Sequence, residues 1–110
     1  VMLSGGQKQR VALARCLLAE APILLLDDPI SQVDFEIGEA ISQTLRRLAG
    51  RRTILIASHR LPARAFADRI LVLERGRVTA AGRHAELMAT SAYYARTYRL
   101  QEIEERRDAA

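Results

Sequence analysis

The run Ile23-Leu24-Leu25-Leu26, closed by Asp27-Asp28-Pro29, constrains the fold more than any other stretch of this chain. An unbroken apolar run lacks the in–out alternation of a half-wet strand, so it suits a strand of a parallel sheet covered on both faces. Pro29 has no amide hydrogen to give a ladder, so the strand ends there. A second such run, Thr53 to Ala57, is followed by Ser58-His59. Between the two, residues 35–49 read as a helix. Asp34 stands at the N-cap, Glu36 in the first turn, Ile37, Ile41, Leu45 and Leu48 on one stripe, and Gly50 at the end. Strand, helix and strand on short connections predict a parallel pair.

The flanks extend this pattern. Residues 4–19 predict a helix with Val11, Ala14, Leu17 and Leu18 on its buried stripe and Lys8, Gln9 and Arg15 off it. Cys16 stands alone and reads as a small buried hydrophobe on that helix, with no disulfide or metal cluster to join. Leu61 to Asp68 predicts a short helix opening near Pro62. Ile70 to Glu74 and Arg77 to Ala80 predict strands joined at Arg75-Gly76, with Gly82 breaking the second. Residues 84–89 and 91–107 predict two further helices, the last carrying Tyr94 and Tyr98 and a charged end.

With 110 residues, 49% of them hydrophobic, the chain has material for one compact unit. No apolar run approaches the roughly 20 residues of a membrane helix. The 17 basic residues exceed the 13 acidic ones, but they are scattered and the chain has only two Phe, three Tyr and no Trp to stack on bases. The charge therefore reads as a solvated surface, and a nucleic-acid partner is not expected.

Three places carry chemistry. In Leu3-Ser4-Gly5-Gly6-Gln7, Ser4 and Gln7 have capping-box spacing. That box leaves two adjacent first-turn glycines unexplained, since glycine weakens a helix. Bare backbone at a positive helix end, with a serine hydroxyl beside it, is what a phosphate group needs. Asp27-Asp28 at a strand end reads either as turn chemistry or as a carboxylate for Mg²⁺ followed by one that orients water. His59, at the end of the second strand, is either structural or a hydrogen-bond donor to a phosphate oxygen. In parallel α/β sheets, ligands collect beyond these strand ends.

Taken in order, Leu3-Ser4-Gly5-Gly6-Gln7, the strand into Asp27-Asp28, Ser31-Gln32-Val33-Asp34 and Ser58-His59 resemble the ATP-binding cassette (ABC) family over nearly the whole chain. Leu3 to Gln7 match its signature motif, Ile23 to Asp27 its Walker B strand, Ser31 to Asp34 its D-loop and His59 its switch histidine. Gly82-Arg83-His84-Ala85-Glu86-Leu87 and the segment Tyr93 to Gln101 resemble the end of the cassette in exporters with fused membrane domains.

The resemblance implies an α/β, P-loop NTPase-like fold: a parallel sheet with flanking helices, ending in a hairpin and C-terminal helices. It implies that residues 1–90 carry the signature, Walker B, D-loop and histidine region, and 91–110 a C-terminal helix and tail. The expected activity is ATP hydrolysis coupled to transport, with ATP and Mg²⁺ as cofactors. Asp27 would serve the metal, Asp28 and His59 would be catalytic, and Ser4, Gly5, Gly6, Gln7 and Asp34 would bind nucleotide. Expected partners are a second nucleotide-binding domain, head to tail, and membrane domains at the cytoplasmic face of the inner membrane.

Two departures qualify the match. No G-x-x-x-x-G-K-[S/T] phosphate loop occurs, and Val1 falls in what reads as a loop, so the chain is expected to be the C-terminal half of a domain, inactive alone, with Ala110 near a true terminus. Asp28 stands where the family usually carries Glu, a shortening that resembles the weaker site of heterodimeric exporters. The rival readings are a soluble ABC ATPase of DNA repair or translation, and a truncated fragment that only binds a partner.

Overall fold

The computed structural model describes residues 2–59 and 67–109, in two compact units, Val1–Pro62 and Ala63–Ala110, where composition pointed to one.

The first unit contains α1 (Gly5–Leu18), β1 (Ile23–Asp27), α2 (Phe35–Leu48) and β2 (Thr53–Ala57). β1 and β2 pair in parallel, from Ile23 opposite Thr53 to Asp27 opposite Ala57. The pair is expected from the two apolar runs, but only one face is covered: Leu24 and Leu26 are buried, whereas Leu25 is 70% and Leu55 58% exposed. Leu24, Leu26, Ile30, Val33 and Leu45 make the buried apolar set of this unit.

α2 forms as its sequence predicts. Asp34 Oδ1 accepts a hydrogen bond from the Ile37 amide at 2.9 Å, which satisfies one of the helix's open donors. Leu45 is buried, with Ile37, Ile41 and Leu48 half-buried beside it. Ser42, polar and buried, donates to the Gly38 carbonyl at 2.9 Å. Gly50 does not adopt a left-handed conformation; the helix closes instead through the Arg51 and Arg52 amides, which both donate to the Leu48 carbonyl. Leu45→Ala should destabilise this unit by about 2–5 kcal/mol, the usual cost of emptying a fully buried leucine site. Chemical denaturation would measure it, and a cost below about 1 kcal/mol would remove Leu45 from the core.

α1 packs on a different face from the one its apolar residues suggest. Val11 and Leu18 are exposed, as is Ala14, while Gly6, Gln9, Leu13, Cys16 and Leu17 are the partly covered positions. These also recur at helical spacing, and they put Gln9 on the packed face and leave Cys16 half-buried. Hydrogen bonds from a polar residue, described below, outweigh the exposure of two apolar ones. At the other end of α1, Arg52 Nη1 donates to the Leu17 carbonyl at 3.1 Å, serving a helix-end acceptor.

The second unit contains β3 (Ile70–Glu74), β4 (Arg77–Gly82), α3 (His84–Thr90) and α4 (Ala92–Ala109). The third strand does not extend the parallel pair among the described residues; it pairs antiparallel with β4. Arg75 (φ 51°) and Gly76 (φ 76°) make the turn, and positive φ at both central residues matches the right-handed twist of a two-residue hairpin. β4 runs through Gly82 rather than stopping at Ala80. Val72, Leu87 and Tyr94 form the core, with Ile70, Ala80 and Met88 against it. The Tyr94 hydroxyl lies 2.8 Å from His84 Nδ1, which explains a buried tyrosine at a helix position that is otherwise apolar. Most of the helix expected over Leu61 to Asp68 lies outside the described residues.

Candidate functional site

All the candidate residues singled out in the sequence fall within the first unit. They form two neighbourhoods, one at the start of α1 and one at the ends of β1 and β2.

At the start of α1, Ser4 is the N-cap, and the capping box is complete. The Gln7 amide donates to Ser4 Oγ at 3.1 Å, and the Ser4 amide donates to Gln7 Oε1 at 2.9 Å. Gly5 and Gly6 occupy the next two positions, where helix geometry provides no intrahelical acceptor for the amides. An open groove of about 430 Å³ begins here, lined by Ser4, Gly5, Gly6 and Arg10 on one side and by Gln32, Val33, Asp34 and Ile37 on the other. The groove thus joins the signature-like segment to the segment read as a D-loop. The Ser4 hydroxyl, the Gly5 and Gly6 backbone and the Arg10 guanidinium on one side suit an anionic phosphate chain, with the Asp34 carboxylate on the other side.

The glycines have a second reason that the sequence did not disclose. A Cβ at Gly6 would sit 2.6 Å from the backbone carbonyl oxygen of Gln32, far inside contact distance. A Cβ at Gly5 would meet only the end of the Gln32 side chain, which can swing away. Gly6 is therefore required by packing within this chain, whatever ligand approaches from outside.

At the strand ends, Asp27 closes β1 opposite Ala57, and its side chain is exposed. Asp28 follows with φ 45°, a left-handed conformation that Asp tolerates better than most residues. Three kinds of bond hold it. Its amide donates to the Ala57 carbonyl at 2.7 Å. Its carboxylate Oδ1 accepts from the His59 amide at 3.3 Å. Its carbonyl accepts from Gln9 Nε2 at 2.7 Å and from Ser31 Oγ at 3.2 Å. Asp28 and His59, 31 residues apart, are thus brought together by the parallel pairing.

Among the described residues, no three His, Cys, Asp or Glu side chains gather into a metal cage. Mg²⁺ needs none: it keeps several waters and is commonly held by one or two carboxylates together with substrate phosphates. The exposed Asp27 carboxylate beside Asp28 fits that requirement.

Gln9 is the residue that sequence reasoning missed. It binds Asp28, as above; its Nε2 also donates to Ser31 Oγ at 3.0 Å, and its Oε1 accepts from the Gln32 amide at 3.0 Å. The available signal was the helical spacing of positions 6, 9, 13, 16 and 17, on which Gln9 is the one polar side chain.

A family model described as ABC transporter matches residues 1–31. The chain is 48% identical over 101 residues to an ATP-dependent lipid A-core flippase of Alkalilimnicola ehrlichii, covering 92% of this chain and 17% of that protein. The corresponding flippase of Vibrio cholerae is 46% identical over 99 residues, again with 17% of its length covered. Among solved structures, a bacterial Atm1-family ABC exporter with ATP bound matches with a TM-score of 0.84 at 42% identity, over 91% of this chain and 18% of that one. The chain therefore spans about a sixth of the length of these relatives.

Proposed function

The chain belongs to the ABC transporter family, and from that premise we propose that it forms the C-terminal part of a nucleotide-binding domain that hydrolyses ATP to drive export. The observation that carries this reading is the meeting of Asp28 and His59 at the ends of two parallel strands, in the same unit as a capped Gly-Gly helix start. The open sheet face bearing Ile23, Leu25 and Leu55 supports a larger domain whose other segments cover it. In that domain, residues 91–110 serve as the C-terminal helix and tail.

Each residue has a task in this reading. Asp27 holds Mg²⁺, which neutralises charge on the phosphates when bound. Asp28 orients the attacking water. His59 donates a hydrogen bond to the terminal phosphate, where charge develops. Ser4, Gly5, Gly6 and Gln7 present amides and the Ser4 hydroxyl to the ATP held by a second nucleotide-binding domain, packed head to tail. Gln7 acts mainly by keeping Ser4 in its cap. Asp34, in the groove wall, links the two sites while capping α2.

Asp28 is one methylene shorter than the glutamate usual in the family. That supports two unequal sites and hence a partner of different sequence. The cytoplasmic face of a cell membrane is the setting this implies, with membrane domains supplied by other segments. Among the described residues no helix is long and apolar enough to cross a membrane.

The test is His59→Ala in the full-length protein paired with its partner, whose catalytic carboxylate is removed so that only this chain's site is read. Turnover should fall by about 10²-fold or more, the scale of losing one donor to developing charge, while ATP affinity stays within a few-fold. A variant that loses stability but keeps its turnover per folded molecule would make His59 structural and remove the main support for the reading.

A further inference from the structure

The turn after β1 is held by a side chain from another element. Asp28 sits in a left-handed conformation, and its carbonyl, the Ser31 hydroxyl and the Gln32 amide converge on the carboxamide of Gln9. One planar group thus gives two hydrogen bonds and accepts one, using three of the four positions a glutamine offers. Gln9 is half-buried on the packed face of α1, one turn beyond Gly6, whose own backbone abuts the Gln32 carbonyl. Helix start, Asp28 turn and groove wall are therefore linked through a span of a few bonds.

We infer that Gln9 is a positioning residue: it fixes the Asp28 carboxylate relative to the Ser4-Gly5-Gly6 helix start, so that the phosphate-binding end of one site and the water-orienting group of the other keep a set geometry. This rests on the ATPase reading above. Gln9 itself contacts no reacting atom. Its bond to the Asp28 carbonyl acts opposite the bond between the Asp28 carboxylate and the His59 amide, so the residue is held from both ends. Without Gln9 the Asp28 carbonyl keeps its local bonds from the Ser31 amide and hydroxyl but the turn loses its tie to α1, and a displacement of the carboxylate by about 1 Å is enough to cost on the order of 100-fold in rate.

Only the carboxamide has both a donor for the Asp28 carbonyl and an acceptor for the Gln32 amide. Gln9→Glu keeps size and acceptor but loses the donor and sets a carboxylate against the Asp28 carbonyl. Gln9→Met keeps length and loses both. The experiment uses the full-length protein paired with its partner, whose catalytic carboxylate is removed so that turnover reads this chain's site alone. Steady-state hydrolysis, ATP affinity by equilibrium binding, melting temperature and amide hydrogen exchange of the peptide covering residues 26–33 are measured for both variants.

The expected result is a fall in kcat of about 10- to 100-fold in Gln9→Glu, with ATP affinity within about twofold. Exchange should be faster at residues 28–32 while α1 keeps its protection. Two results overturn the inference: kcat within twofold of wild type, or a loss of kcat, affinity and melting temperature in step, which marks a plain structural brace. A wild-type protein that does not hydrolyse ATP overturns the ATPase reading and the catalytic role of Gln9 with it. Unchanged exchange at residues 28–32 overturns the role of Gln9 alone.

Discussion

Gly6→Asp should abolish ATP hydrolysis at the partner's site, and Gly6→Ala should lose a large part of it without adding any charge. Two effects add up in the aspartate variant. The first is steric. The new Cβ lands 2.6 Å from the Gln32 carbonyl oxygen, a backbone atom that cannot rotate away, so α1 and the segment over Gln32 to Asp34 must separate. Overpacking of this kind typically costs about 1–3 kcal/mol, and here it deforms both walls of the groove. The second effect is electrostatic. A carboxylate at the helix start proposed to bind phosphate would face like charge, a repulsion of about 4 kcal/mol for unit charges 4 Å apart at an effective dielectric of 20, or on the order of 10³-fold.

Gly5→Ala provides the contrast, because its Cβ meets only the mobile end of the Gln32 side chain. The expected order of damage is Gly5→Ala, then Gly6→Ala, then Gly6→Asp. Labelled nucleotide trapped separately on each subunit would locate the loss. If the loss were confined to this chain's own site, the head-to-tail arrangement would fall. If Gly6→Ala behaved like wild type, the contact with Gln32 would not constrain the protein.

Asp28→Glu should raise hydrolysis at this chain's own site by about 10- to 100-fold, with the partner's catalytic carboxylate removed so that a single site is read. One added methylene carries the carboxylate outward by about 1 Å, toward where the family's glutamate places it. The backbone bonds that hold the turn, from the Asp28 amide to Ala57 and from Gln9 and Ser31 to the Asp28 carbonyl, do not depend on side-chain length. What changes is the fit to φ 45°, which glutamate accepts less readily than aspartate, and the bond from the His59 amide. A left-handed residue costs about 1–2 kcal/mol, and aspartate avoids part of this. The variant should therefore melt slightly lower while turning over faster, opposite signs that one assay alone would miss. An unchanged single-site rate would show that the short carboxylate is not what weakens the site.

The elements of this chain whose causes lie within three or four residues were legible in its sequence. The capping box of Ser4 and Gln7, the Asp34 cap, the strand character of the β1 and β2 runs and the Arg75-Gly76 turn each depend on neighbours along the chain, and each formed as read, although the cover expected on both faces of β1 and β2 is present on one face among the described residues. The packed face of α1 was misread because hydrophobicity pointed to Val11 and Leu18, while the decisive bonds come from Gln9 to residues 19 to 23 positions away. The need for glycine at position 6 was legible, but not its cause, since the carbonyl it abuts belongs to Gln32. Nor does sequence show that the Asp28 carboxylate would bind the amide of His59. Periodicity and capping are local and repeat along the chain, so a string of letters carries them. A hydrogen bond or close approach between distant segments exists only once the chain has folded back, and its partners are chosen by that geometry rather than by their spacing.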